Sequence, residues 1–258
     1  MSTTDGKILN LECHESVSST IELAKSYAAM GYNDGYVVIS EHQTRVGATG
    51  DTLRSGESEH GIYISCILRP SLFPSQMGFI SAITAVSLLG ALDEHTTKSL
   101  GIGWISDIFC DGRKIGTTAI EGKIAPGGTY EYIIVSFYVR LSDADFPPRL
   151  NDLVKKVFES ENTSIPLMIA KKILNNFFSF YPRHVKNPDK FMEIYRRRFI
   201  FSGIPCKYIE NGKRKRGRIL GIEGTDGRLI VELKDGTMQN FSGNRNLILP
   251  DKIKLKRK

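Results

Sequence analysis

Long apolar runs are missing from this sequence. The richest stretch, FISAITAVSLLGAL (79–92), is broken by Ser and Thr and falls short of the ~18 residues that a bilayer span needs. No membrane partner is expected. No secretory leader is expected either, since MSTTDGKILNLECHES opens with neither a basic n-region nor an apolar h-region. The four cysteines, at 13, 66, 110 and 206, stand far apart and fit no metal-ligand spacing. Reduced thiols in the cytoplasm are therefore the expectation. The histidines (14, 42, 60, 95 and 184) are scattered, and none pairs with a Cys or Glu at ligand spacing. No Gly-x-Ser-x-Gly elbow, His-Glu-x-x-His pair or P-loop end occurs, which sets aside those three chemistries. There is no internal repeat, and Trp104 is the one tryptophan.

What remains is an ordinary globular composition. The 258 residues are 41% apolar and 24% charged, enough for one large domain and a small one. The net charge of +7 is unevenly placed. Residues 196–258 hold 17 Lys and Arg against 6 Asp and Glu, and the rest of the chain is slightly acidic. A near-neutral body thus carries a basic C-terminal module, which leaves room for a polyanion. Nucleic acid is disfavoured, because the basic stretch NGKRKRGR (211–218) has no aromatic stacking platform beside it. Such a run more often makes a solvated face.

Periodicity and punctuation give the outline. Helices are expected over 17–31, 75–96, 146–160, 164–182 and 187–199, with Ser18, Ser19 or Thr20 capping the first and Ser164 the fourth. Strands are expected over 36–40, 62–68, 100–109, 114–125 and 129–141, the third and fourth joined by an Asp111-Gly112 hairpin turn. A glycine-rich polar loop fills 43–61; loops of that length are functional or disordered. Beyond Gly203, short strands alternate with Asn211-Gly212, Asp226-Gly227 and Asp235-Gly236, as in a small antiparallel barrel. The fold class is α+β: a mixed sheet packed with helices over 1–200, then a small C-terminal β-barrel over 201–258.

Two stretches could carry chemistry. Gly47 and Gly50 would let loop amides face an anion, although a plain surface loop reads the same way. In GWISDIFCDGRKIG (103–116), Asp107 and Lys114 lie seven residues apart across a turn. Facing one pocket, they would suit phosphoryl or adenylyl transfer, the Lys neutralising phosphate charge and the Asp orienting a metal ion or an amine. An exposed hairpin with a surface Lys is the plainer alternative.

The order of these pieces resembles the biotin–protein ligases along nearly the whole chain. SSTIELAK (18–25) is similar to the family's Ser-Thr-Asn helix start, with Ser19 and Thr20 matching. SEHQTRVGATG (40–50) is similar to its Gln-Thr-Gly-Arg-Gly-Arg loop. Gln43, Thr44, Gly47 and Gly50 match there, while Val46 and Ala48 replace arginines and Arg45 lies near. GIGWISDIF (101–109) resembles Lys-Trp-Pro-Asn-Asp-Ile, keeping Trp104, Asp107 and Ile108. GRKIGTTAIEG (112–122) keeps Lys114, Ile115, Gly116 and Glu121. YIIVSFYVRL (132–141) stands where the family has Val-Gly-x-Gly-Ile-Asn, so Phe137 and Tyr138 bring bulk where ligand approaches backbone. No counterpart of the family's DNA-binding winged helix is expected.

The resemblance implies adenylation of biotin by ATP with Mg2+, then transfer to a lysine of a carboxylase's biotin carboxyl carrier domain. Whether the chain dimerises is left open. It implies that Ser19, Thr20 and Gln43 bind the biotin ring and that Trp104 walls the pocket. Lys114 would hold the reacting oxygens, and Asp107 would orient the acceptor lysine. Thr44, Arg45, Gly47, Ala48 and Gly50 would cover the adenylate. The lost arginines and glycines leave two readings: a weakened ligase, or a pseudo-ligase that binds without ligating.

Overall fold

Alternation along two central strands sets the frame. The computed structural model describes residues 2–4, 7–44, 60–74, 77–94, 99–140, 165–184, 188–223, 227–242 and 247–249. In order the elements are β1 (Ser2–Thr4), β2 (Lys7–Val17), α1 (Thr20–Ala29), β3 (Tyr36–Gln43), β4 (His60–Leu68) and α2 (Met77–Asp93). Next come β5 (Leu100–Ile102), β6 (Ile108–Cys110), β7 (Arg113–Ile124), β8 (Tyr130–Arg140), α3 (Ile165–His184) and α4 (Pro188–Arg198). The C-terminal part holds β9 (Pro205–Glu210), β10 (Lys213–Ile222), β11 (Leu229–Leu233), β12 (Met238–Phe241) and β13 (Leu247–Ile248).

The first eight strands form one mixed sheet, ordered β1-β2-β3-β4-β8-β7-β6-β5. Among the described residues, only the β2–β3 pair of this sheet is parallel. Along β8, successive side chains leave the sheet on opposite sides. Ile133, Val135, Phe137 and Val139 join the main apolar core with α2 and α3, whereas Ile134 joins a smaller cluster with Ala24 and Ala28 of α1. Helix α2 is buried on nearly every side, from Ile80 to Leu92, because it lies between sheet and α3. The Phe137 and Phe177 rings meet edge to face at 5.6 Å there. No helix among the described residues is long and apolar enough to cross a membrane.

Most expected elements are present, with three differences. Strands β1 and β2 lie outside the expected elements: the alternation in LNLECH is short, and Leu11, on its apolar side, is exposed. The place of β2 comes instead from pairing with β3 and from Glu12. That carboxylate accepts from Tyr27 Oη at 3.0 Å and Tyr36 Oη at 2.6 Å, and lies 2.9 Å from His14 Nε2. The expected strand 100–109 is broken into β5 and β6 by the turn 103–107. Gly103 N–H donates to Asp107 O at 2.7 Å. A Cβ on Gly103 would come within 2.7 Å of Phe109, so the turn packs on that ring only as glycine. The Asp111-Gly112 hairpin is as expected, both residues having positive φ (48° and 80°). Expected helix 146–160 lies outside the described residues.

The third difference is the barrel. The C-terminal strands form an antiparallel sheet, ordered β12-β11-β10-β9-β13, with no pairing between its outer strands among the described residues. With only two residues, β13 reaches β9 alone, so the sheet is open. Its inner residues Cys206, Tyr208, Ile219, Leu229 and Val231 share one apolar cluster with Trp104, Phe109 and Met192 of the body. Lys213 to Arg216 are exposed on β10, a solvated basic face as read from the sequence.

The Glu12 cluster predicts a pH effect. The Tyr36 hydrogen bond, above the other contacts, holds the Glu12 carboxyl below the usual carboxylate range. The stability it contributes is complete above the unfolded value of about 4.3 and is lost as pH falls through the lowered folded value. Tyr36→Phe is therefore expected to lose less stability than the unsubstituted protein between about pH 5 and pH 3. Urea denaturation across that range checks this.

Candidate active site

The face of the sheet that carries α1 holds two polar clusters. The first begins where β2 turns into α1. Ser19 caps the helix, its Oγ accepting from Glu22 N–H at 3.3 Å, so this hydroxyl already has structural work. Thr20 N–H and Thr20 Oγ1 both donate to Gln43 Oε1, at 3.0 and 3.3 Å. Ser65 Oγ donates to Thr20 Oγ1 at 3.0 Å and lies 2.8 Å from Ser136 Oγ. All four side chains are buried.

Proton counting orients this chain. A hydroxyl has one hydrogen to give. Thr20 gives its hydrogen to Gln43 and Ser65 gives its own to Thr20, so Ser136 must donate to Ser65. The run Ser136→Ser65→Thr20→Gln43 spends every hydroxyl proton internally. It leaves acceptor lone pairs, Ser136 Oγ foremost, and acceptors suit a ligand that brings N–H donors. Ser65 and Ser136 escaped the sequence reading. Their signal was present: single small polar residues inside the apolar strands IYISCIL and YIIVSFYV.

The second cluster gathers on the turn 103–107. Asp107 Oδ1 receives Lys114 Nζ at 2.9 Å and the Thr117 hydroxyl at 2.5 Å. Lys114 and Asp107 are partly exposed, so a ligand can reach them. The turn is held from both sides. Ser106 Oγ donates to Thr118 O at 3.2 Å, and buried Tyr195 of α4 donates to Ile105 O. Burial, and then the nearby Asp107 charge, push the Tyr195 phenol up, so it stays a neutral donor. Trp104 is buried and donates its indole N–H to Gly227 O at 3.0 Å, fastening the C-terminal sheet beside the turn.

Register relates the clusters. Ser136 stands opposite Ser65 on β4 and Ala119 on β7, and Tyr138 stands opposite Tyr63 and Thr117. The hydroxyl row and the Tyr63–Tyr138–Thr117 row are therefore two residues apart along the strands, or ~7 Å. The two tyrosine rings lie 4.8 Å apart and are buried. Phe137 belongs to the opposite face, against α3. The expectation that it lines the pocket is thus corrected by strand alternation, and only Tyr138 stays on the site face. Glu121 pairs with Lys25 of α1.

Among the expected site residues, Thr20 meets Gln43, and Asp107 meets Lys114. Thr44 is exposed at the end of β3, its N–H bonded to Val17 O at 3.1 Å. Arg45, Gly47, Ala48 and Gly50 lie outside the described residues. Among the described residues, no three His, Cys, Asp or Glu side chains converge as a metal site.

No family model matches the chain. The fold is nonetheless that of the biotin protein ligases. The enzyme from Aquifex aeolicus, solved with biotin and ATP, superposes with a TM-score of 0.68 at 17% identity, covering 92% of this chain and 97% of that one. A biotin protein ligase-like protein of unknown function from a Silicibacter species superposes with a TM-score of 0.64 at 13% identity, covering 90% and 93%. In sequence, the bifunctional ligase/repressor BirA of Bacillus subtilis is 23% identical over 239 residues, spanning 91% of this chain and 73% of that protein. Sequence match and fold together make the chain similar to the biotin protein ligases.

Trp104→Phe keeps an aromatic ring, though a smaller one, and leaves Gly227 O without its donor. The expected cost is about 1–3 kcal/mol, read from chemical denaturation followed by circular dichroism.

Proposed function

We propose that the chain is an ATP-dependent biotin–protein ligase. In the first step a biotin carboxylate oxygen bonds to the α-phosphorus of ATP, and pyrophosphate leaves with its electron pair. In the second, the amine of an acceptor lysine attacks the acyl carbon, and AMP leaves. The acceptor is a biotin carboxyl carrier domain of a carboxylase, met in the cytoplasm. The observation that carries this reading is the meeting of Lys114, Asp107 and Thr117 on the sheet face that also holds the buried hydroxyl chain.

The residues fit the substrates. Biotin's neutral urea ring brings N–H donors, and the chain of Ser136, Ser65, Thr20 and Gln43 offers acceptors in a buried setting. Ser19 fixes the helix start from which Thr20 reaches that ring. Lys114 stabilises the negative charge that develops on the phosphate and carboxyl oxygens. The acceptor amine, with an ordinary pKa of about 10.4, must shed a proton before attack, and the Asp107 carboxylate draws it off. Trp104 holds the wall behind Asp107. Residues Thr44, Arg45, Gly47, Ala48 and Gly50 cover the adenylate, and Mg2+ enters with ATP. Residues 1–200 form the catalytic unit, and residues 201–258 the accessory one.

A second reading, a relative that binds without ligating, draws on one feature. Tyr63 and Tyr138 stand as a buried ring pair in the row next to the hydroxyls. The test is biotin-dependent exchange of pyrophosphate into ATP. Lys114→Ala is expected to lower exchange by about 10²–10³-fold. Asp107→Asn is expected to leave exchange intact and slow transfer to a carrier domain by about 10²-fold or more. A folded protein that binds biotin but exchanges nothing would favour the second reading.

A further inference from the structure

We propose that Thr117 is a positioning residue of the transfer step: its hydroxyl holds one oxygen of Asp107 after Lys114 has left and so aims the other at the acceptor amine. This rests on the ligase reading of the same site. The alternation of β7 is broken there. Side chains three residues apart leave a regular strand on opposite faces. Lys114 and Thr117 have that spacing, yet both reach Asp107 Oδ1, at 2.9 and 2.5 Å. A bulge brings them together. Lys114 stands opposite Phe109 on β6 and Gly116 opposite Ile108, so Ile115 is the extra residue of the pairing. One extra residue reverses the alternation and re-aims the side chain beside it. Beyond the bulge the period is regular. Thr118 turns to α2, its Oγ1 lying 3.1 Å from Thr84 Oγ1, and Thr117 keeps the site face.

Both contacts fall on the same carboxylate oxygen, which leaves Oδ2 to face outward. While Lys114 is in place, either contact is enough to fix the carboxylate. Once a phosphate has drawn the lysine away, Thr117 alone sets how the carboxylate is turned. Its side chain suits that task. A β-branched residue has few χ1 choices on a strand, so the hydroxyl does not swing off. Its one hydrogen goes to Oδ1, and none is left to compete for Oδ2. Thr117, Asp107 and Lys114 are all partly exposed, so an amine can come up to Oδ2. There the acceptor ammonium gives up one proton. The nitrogen pair so freed bonds to the acyl carbon, and AMP leaves with the electrons of the broken acyl–oxygen bond. Thr117 gains and loses no proton in this step. It acts through Asp107.

Three rates on the full chain, with biotin, ATP and Mg2+, test this. Pyrophosphate exchange reads the first step. Transfer to the biotin carboxyl carrier domain of an acetyl-CoA carboxylase reads the second. Transfer to hydroxylamine reads the second without its proton removal, because that amine is already uncharged at neutral pH. Thr117→Val keeps size and branching but loses the hydroxyl. It is expected to lower the ratio of carrier transfer to exchange by about tenfold or more, the range of one hydrogen bond to a charged group. The ratio of hydroxylamine transfer to exchange is expected to stay as it was. Thr117→Ser, which restores the hydroxyl, is expected to recover most of the carrier ratio. Thr117→Ala serves if the valine variant does not fold. An unchanged carrier ratio in the folded variant overturns the proposal, as does an equal loss toward both acceptors, or a serine variant no better than valine. Exchange without carrier transfer by the unsubstituted protein overturns it too. In each of those cases exchange persists and the adenylation reading stands. Absence of exchange in the unsubstituted protein removes that reading, and this proposal with it.

Discussion

The structure depends on the two-residue period of β4 and β8. These strands lie in the middle of an eight-stranded sheet with helices on both faces. Every residue on them must commit to one side. On one side the period selects Ile62, Ile64, Cys66, Val135, Phe137 and Val139, which α2 and α3 cover. On the other it selects Tyr63, Ser65, Ser136 and Tyr138. Slipping the register by one residue would bury the hydroxyls in the apolar layer and turn Phe137 toward the site. That exchange costs so much that the pattern fixes both core and site at once.

The hydroxyl chain adds a second constraint. A buried polar group without a partner costs about 1–3 kcal/mol, and four such groups meet here from α1, β3, β4 and β8. Satisfying one another, they lock the start of α1 to three strands. Ser19 contributes by capping that helix. Under the proposed reading a ligand would meet a cluster already arranged, with little ordering entropy left to oppose binding. The turn 103–107 is arranged in the same way, held by Tyr195 and Ser106, with Asp107 presented at its end.

Much of this was legible in the residues. The helix starting at Thr20, the all-round apolar α2 and the Asp111-Gly112 turn carry local signals strong enough to read. Asp107 and Lys114 could be paired from a turn of known type between them. What stayed hidden depended on tertiary context. Ser65 and Ser136 become partners only through the β4–β8 register. Strand β2 has an ambiguous pattern and takes its shape from β3. The split of 100–109 into β5 and β6 follows from Gly103 packing on Phe109, a contact that no local propensity encodes. Phe137 and Tyr138, adjacent in sequence, were read together and belong to opposite faces.

The Lys114–Asp107 pair would seem to blunt the site, since the lysine charge already has a partner. Magnitudes argue otherwise. Both groups are partly exposed, and pairs of that kind are worth only about 0–1 kcal/mol. A nucleotide triphosphate presents several negative charges together, against the single charge of Asp107. Phosphate can therefore draw Lys114 away at small cost. Asp107 is then left with the Thr117 hydroxyl alone. Its second oxygen, and the face the lysine has left, become free for an incoming amine. The resting pair is thus compatible with a two-step reaction in which one partner serves each step, the first releasing the second.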